Sequence, residues 1–237
     1  MNNQRLDKFI SGQLNMTRKN AKNDIRHGYV TVNSKTFTDP SAVIDTQSTD
    51  ITYKGEKVNY KKYVYILLNK PSGILSASND KTRRTVVDLV PKELKRQGLF
   101  PVGRLDKDTT GLLIITDDGT FAHDCISPKK NIPKCYIARL DGEVTEQMCE
   151  IFAGGVVLAD GTVCKPAVLE PLGENSAKIT ITEGKYHQIK RMFGTVGLGV
   201  NALHRQSMGN LILPETLNFG ECVEMTEKQL KSVLFLA

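Results

Sequence analysis

Residues 112–116, Leu-Leu-Ile-Ile-Thr, form an apolar run too short for a helix, and the run closes on Asp117-Asp118-Gly119. A short apolar run rich in Leu and Ile and bounded by turn residues reads as a buried strand. Asp-Asp-Gly supplies the turn that ends it. Upstream, the segment from Gly103 to Gly111 carries Arg104, Asp106 and Asp108 at alternate positions. The chain must therefore fold around a central strand that is entered through a charged loop. A charged loop on a rigid strand is a common seat of chemistry. In an ordinary loop the two aspartates would do no more than bond turn amides.

The rest of the composition sets limits. A chain of 237 residues, 40% hydrophobic and 24% charged, is that of an ordinary soluble globular protein with room for one large domain or two small ones. Its apolar runs are short, so no membrane span is expected. Met1-Asn2-Asn3-Gln4-Arg5 has no apolar core behind it, so no secretory leader is expected. Five widely spaced cysteines without a Cys-x-x-Cys pair argue against a disulfide framework and a zinc ribbon, and fit a reducing cytoplasm. Four histidines, His187 among them, have no ligand spacing beside an acid or a cysteine, so no metal is expected.

Charge is uneven along the chain. Residues 1–62 hold 11 Lys or Arg against 6 Asp or Glu, whereas the remainder holds 21 against 20. A basic module on a near-neutral body suggests a tethered binder of a polyanion. Leu6, Phe9, Ile10 and Leu14 recur at helical spacing. Thr17 is a good N-cap for a second helix ending near Gly28, with Ala21 and Ile25 as its buried stripe. Arg18, Lys22 and Arg26 then form one basic ridge that can face phosphates. Val30 and Val32 alternate as a strand, Asn33-Ser34 is a turn, and Ile51 and Tyr53 continue the strands. Residues 54–62 read as a hydrophilic linker, which places a domain boundary near Tyr60.

Beyond it, residues 63–68 predict a strand running into an Asn69-Lys70-Pro71-Ser72-Gly73 turn. Lys81, Arg83 and Arg84 lie in a polar loop, and residues 86–94 predict a short helix. Residues 121–124 read as helical and residues 134–140 as a strand. Turns at Gly154-Gly155 and Asp160-Gly161 lack the glycine spacing of a dinucleotide loop, so no nucleotide cofactor is expected. Residues 178–182 alternate as a strand. Ile189, Met192, Phe193 and Val196 mark a helix whose start carries Lys190 and Arg191. Thr226 caps a small terminal helix.

These phrases carry a resemblance. Gly103-Arg104-Leu105-Asp106-Lys107-Asp108-Thr109-Thr110-Gly111 with its strand is similar to the catalytic-Asp motif of pseudouridine synthases of the RsuA type, which act on 16S small-subunit ribosomal RNA. Asn69-Lys70-Pro71 resembles a strand end bordering that family's cleft. Lys134-Cys135-Tyr136 resembles its K-T-Y phrase, with Cys135 in place of Thr on the opposite face of the strand. Lys185-Tyr186-His187-Gln188-Ile189-Lys190-Arg191-Met192-Phe193 matches its third motif, and Leu203-His204-Arg205 its L-H-R phrase. Residues 1–59 resemble the alpha-L RNA-binding domain of a ribosomal protein, leaving 60–237 as the catalytic domain.

The resemblance implies an α+β fold, with a small helix-and-hairpin module followed by a mixed, mostly antiparallel sheet in two halves around a cleft. It implies Asp106 as nucleophile or base, paired with Lys190 or with Arg191, while Asp108 caps the loop. Tyr136 would stack on the uracil or handle the C5 proton, and Leu203 would wall the pocket. Lys70, Arg104 and Arg205, with Arg18, Lys22 and Arg26, would contact RNA. The implied target is uridine 516 of 16S RNA. No cofactor is implied, because isomerisation needs neither redox change nor group donor. The implied partner is 16S RNA or a small-subunit assembly intermediate, with no membrane, and the protein is expected to be a cytoplasmic monomer. The rivals are a relative acting on 23S RNA, a non-catalytic assembly factor, and an RNA methyltransferase, which would need a glycine-rich loop that is not found.

Overall fold

The computed structural model describes residues 3–46 and 48–235. Met1 and Asn2, the start of the segment that predicts no leader, lie outside them. The chain divides into two compact units, Met1–Val64 with Lys92–Leu99, and Tyr65–Pro91 with Phe100–Ala237.

In the first unit β1 (Asn3–Arg5) leads directly into α1 (Leu6–Gln13), followed by α2 (Arg18–Arg26). Then come β2 (Val30–Val32), β3 (Lys35–Phe37), β4 (Val43–Asp45), β5 (Ile51–Tyr53) and β6 (Glu56–Lys57). β3-β2-β5-β6 form an antiparallel sheet, and β1 pairs with β4. The Thr17 hydroxyl accepts from the Asn20 amide at 3.1 Å, which satisfies one orphan donor of α2. Leu6, Phe9 and Ile10 from α1 and Ala21 and Ile25 from α2 bury against Val30, Val32 and Ile51 in one core. Asn33 (φ +48°) and Ser34 (φ +66°) join β2 to β3 in a two-residue turn of the primed kind, whose twist matches that of the strands.

Residues 54–62 are not a linker. Lys54 (φ +51°) and Gly55 (φ +85°) make a second such turn, joining β5 to β6. Val58 is buried and Tyr60 stacks on Phe9 at 6.1 Å. The lysines lie on the solvent side of a hairpin whose apolar contacts are made by distant partners, so local composition hides it.

The ridge cations have an internal counter-ion. The fully buried Asp7 carboxylate accepts from Arg5 at 3.2 Å and Arg18 at 2.9 Å, and Lys22 Nζ stands 3.9 Å away. Burial alone would raise the Asp7 pKa, but the hydrogen bonds from Arg5 and Arg18 outweigh it and the pKa is lowered. A depressed carboxylate pKa gives stability that is present above the ordinary value and lost as pH falls through the lowered one. Asp7→Asn is therefore expected to cost about 2 kcal/mol at neutral pH, less than a fully buried pair because the cations are half exposed. It should also flatten the acid limb of the urea-midpoint against pH curve below about pH 4, the ordinary range of Asp. An unchanged acid limb would show that Asp7 stabilises nothing.

The second unit opens with β7 (Tyr65–Lys70), β8 (Phe100–Pro101), β9 (Thr110–Thr116) and α3 (Gly119–Ile126). β10 (Lys134–Leu140), α4 (Glu146–Gly154), β11 (Val168–Gly173) and β12 (Ser176–Ile181) follow. α5 (Gln188–Thr195), β13 (Val200–Met208), β14 (Leu211–Ile212), β15 (Cys222–Glu224) and α6 (Glu227–Leu234) complete it. Nine strands form one sheet in the order β11-β12-β10-β13-β9-β7-β15, with β14 on β13 and β8 on β9. Every pairing in it is antiparallel except β13 with β9, which is parallel and short, through His204↔Thr110 and Arg205↔Gly111. Two antiparallel halves thus meet at one seam.

β9 holds the predicted run 112–116, buried throughout. Asp118 does not merely turn the chain; its carboxylate accepts from the Thr120 and Phe121 amides and caps α3. β7 starts later than predicted and runs through Lys70, so Asn69 and Lys70 are strand residues and only the following Pro71 begins the turn. The helix predicted over 86–94 is a single 3₁₀ turn, Val86–Leu89. A Thr85–Asp88 capping box closes it at the front, and Pro91 disfavours helical backbone in the residue before it. α4 and β11 had no counterpart in the sequence reading. Among the described residues no helix is long and apolar enough to cross a membrane.

Candidate active site

The cleft lies at the seam of the second unit. Asp106 and Thr109 reach it from the loop before β9, Tyr136 from β10 and Leu203 from β13. Ile181, at the end of β12, closes the wall, and Lys185, His187 and Lys190 come from the turn into α5 and its first turn. The entry loop is fixed at several points. Ser76 Oγ donates to the Leu105 carbonyl at 2.9 Å and accepts from the Leu105 amide at 3.1 Å. The Thr109 amide donates to the Asp106 carbonyl at 3.1 Å.

Asp106 faces two cationic or protonatable groups. His187 Nε2 lies 3.5 Å from one carboxylate oxygen and Lys190 Nζ lies 3.9 Å from the other. Lys190 is held more tightly by Asp108, at 2.6 and 2.8 Å. Asp108, expected to cap the loop, also binds Lys190: its side chain is largely exposed, and the hydrogen bond from Lys190, with a smaller contribution from a backbone amide, lowers its pKa. Lys190 therefore bridges the two aspartates. Arg191, the alternative partner for Asp106, points elsewhere. Its guanidinium pairs with Asp160 at 2.5 Å and donates to the Tyr186 carbonyl at 3.3 Å. Amide and hydroxyl hydrogen bonds from Thr162, with the bond from Arg191, hold the Asp160 carboxyl down at about 2. Successive residues on a helix diverge by about 100°, so only one of Lys190 and Arg191 can face Asp106.

Tyr136 and Leu203 are buried side chains that line the same cleft with an aromatic and an aliphatic surface. Two side chains expected to contact RNA are buried. Arg205 is 2% exposed; its Nε donates to the Leu112 carbonyl at 2.7 Å, and its guanidinium carbon stands 6.0 Å from the centre of the Tyr136 ring. Lys70 is fully buried, and its ammonium donates to the carbonyls of Pro71, Lys107 and Thr109 at 2.9 to 3.1 Å. Desolvation pushes the Lys70 pKa down to about 8. Lys70 is a clamp that ties the Asp106 loop to the end of β7, because one buried ammonium donates to three carbonyls, of which that of Lys107 also accepts from the Gly73 amide at 2.8 Å. Arg104 is exposed at the cleft and has no ion-pair partner among the described residues.

From the sequence alone His187 is legible only as an unfavoured metal ligand. Its place within the third motif, at the turn into a helix that already carries Lys190, was the signal that it reaches the same carboxylate. Asp160 carried no signal, since its partner Arg191 lies 31 positions away in the chain.

The arrangement suits a planar base lying against Tyr136 and Leu203, with a carboxylate and a neighbouring lysine at its edge. Comparison with known proteins agrees. A family model described as RNA pseudouridylate synthase matches residues 64–195. An uncharacterized RNA pseudouridine synthase of Bacillus subtilis, YtzG, is 40% identical over 95% of this chain and 96% of its own length. The Ribosomal small subunit pseudouridine synthase A of Escherichia coli is 37% identical over 97% of this chain and its whole length. A crystal structure of a pseudouridylate synthase superposes with a TM-score of 0.68 at 35% identity, covering 97% of this chain and 99% of the other. With similarity of this extent around the Asp106 cleft, the chain belongs to the RNA pseudouridylate synthase family and has that family's α+β fold and pseudouridine synthase activity.

Proposed function

We propose that this enzyme converts one uridine of 16S small-subunit ribosomal RNA, uridine 516 on the resemblance of its motifs, to pseudouridine, with Asp106 as the reacting carboxylate. One observation carries the assignment to Asp106: it is the carboxylate that lines the cleft together with Tyr136 and Leu203, whereas Asp108 lies largely exposed. In the reaction the bond from ribose C1′ to uracil N1 breaks and a bond from C1′ to C5 forms. The C5 proton leaves and N1 gains one, so atoms and charge balance without a co-reactant. Asp106 acts as nucleophile or as base at the ribose. Lys190 bridges both aspartates and holds a positive charge beside Asp106, and Tyr136 stacks on the freed uracil or carries the C5 proton.

The RNA substrate class is supported by relatives of full length that are named for the small subunit. The first unit is proposed as an alpha-L RNA-binding module. Its helices place Lys19 and Arg26 in solvent, while Arg18 and Lys22 share their charge with Asp7. Phosphate contacts of this kind supply affinity without sequence reading and weaken steeply with salt. The target base must also leave its stack, at a cost of a few kcal/mol that such contacts offset.

Purified protein incubated with 16S and with 23S transcripts tests the substrate. The expected result is pseudouridine at one position of the 16S transcript and none in the 23S transcript. A product in 23S alone would keep the chemistry and overturn the substrate.

A further inference from the structure

Tyr186 is 76% exposed, more than any other large apolar or aromatic side chain among the described residues, and it stands beside the cleft. Its inner face is covered: the ring stacks on His187 with centroids 3.9 Å apart and planes 19° apart. His187 in turn reaches Asp106 at 3.5 Å. One imidazole therefore separates the tyrosine ring from the reacting carboxylate.

The turn that presents this ring is rigidly built. His187 adopts a left-handed backbone (φ +46°), an unusual state for a residue that is not glycine. Gln188 braces the turn from both sides, accepting from the Lys185 amide at 2.8 Å and donating to the buried Glu183 carboxylate at 2.8 Å. Lys185 also pairs with Glu183. The Tyr186 carbonyl is fixed by Arg191, itself anchored on Asp160. An aromatic face held out in solvent on a braced turn loses little entropy when a partner stacks on it. Every nucleobase has a face that can do so.

We propose that the outer face of Tyr186 is a stacking site for the nucleobase next to the target uridine in the RNA chain. That neighbour loses a stacking partner when the uridine leaves, and Tyr186 replaces it at the mouth of the cleft. Exposed Arg104, which lines the same cleft, is placed for the intervening phosphate. The inference rests on the reading that the Asp106 cleft takes a uridine out of an RNA strand, and it adds a subsite for the adjacent base.

The test uses the full chain, a small-subunit RNA fragment containing the target, and the variants Tyr186→Ala, Tyr186→Phe and Tyr186→Trp, with Asp106→Asn in parallel. Tyr186→Ala should raise KM roughly 5- to 100-fold, the range of base–aromatic stacking, with kcat within about threefold of the parent. Phe and Trp, which keep the aromatic face, should restore KM. A 2-aminopurine placed beside the target uridine should be quenched on binding by the parent and not by Tyr186→Ala. An unchanged KM for Tyr186→Ala would overturn the proposal. So would a fall in kcat at constant KM, or a Phe variant as impaired as Ala, because the hydroxyl and not the ring face would then matter. If Asp106→Asn still turned over, the reading of the cleft would fail. If Asp106→Asn is inactive while Tyr186→Ala is neutral, only the stacking site fails.

Discussion

Asp106→Asn is expected to lower pseudouridine formation by at least about 10³-fold while RNA binding persists, the scale of removing the acting nucleophile or base. The two side chains are nearly isosteric, so the loop held by Ser76 and Lys70 keeps its shape. Binding should hold or tighten, because the substitution removes a negative charge from a cleft that receives a polyanion. Asp108→Asn is the informative companion. Asp108 holds Lys190 at 2.6 Å from outside the Asp106 cleft, and without it Lys190, already 3.9 Å from Asp106, can close to hydrogen-bond distance. Its loss should therefore reduce turnover only modestly, about tenfold or less. Single-turnover formation of pseudouridine together with filter binding separates the two effects. Equal loss in both variants would mean that the aspartates act as one unit and that the assignment to Asp106 alone is wrong.

The second large effect is structural. Gly111 has φ +100°, and a Cβ there would lie 2.3 Å from the carbonyl oxygen and 2.8 Å from the amide nitrogen of Arg205. Both are backbone atoms of β13, and Arg205↔Gly111 is one of the two pairs that join the halves of the sheet. The contact cannot be relieved by a side-chain rotation; the seam itself must open. Gly111→Ala should cost roughly 3 to 5 kcal/mol from overpacking and backbone strain together, which lowers the melting temperature by about 10 °C in a chain of this size. It should also harm activity beyond the stability loss, since β13 carries Leu203 and buried Arg205 stands beneath Tyr136. Gly12→Ala, within α1 and with nothing within 4 Å of the added atom, is the control and should stabilise by up to about 1 kcal/mol. Calorimetry of both variants decides the matter; a Gly111→Ala melting point equal to the parent's would mean that the seam is not held closely at this residue.

Much of this architecture was legible because local signals agreed with the final packing. The apolar run 112–116 is the core of β9, residues 134–140 coincide with β10, and Thr17 and Thr226 cap the helices they were read to cap. Failures came where a residue's role depends on partners far along the chain. Lys70 and Arg205 read as RNA contacts because cations usually sit in water, and only the tertiary fold brings carbonyls to bury them. Arg191 stood as the second choice to Lys190 because its partner Asp160, in the loop after α4, lies far along the chain. The hairpin of β5 and β6 was hidden by lysines on its exposed side, and α4 with β11 lacked a strong enough period to be read. The Asp106 motif itself was legible because its spacing packs a loop, a turn and a strand into one phrase.

The most direct test of the account is a pseudouridine map of ribosomal RNA from cells that lack this chain, complemented with the parent or with Asp106→Asn. Loss of one site in 16S RNA is expected, restored by the parent and not by Asp106→Asn. A lost site in 23S RNA, or restoration by Asp106→Asn, would contradict it.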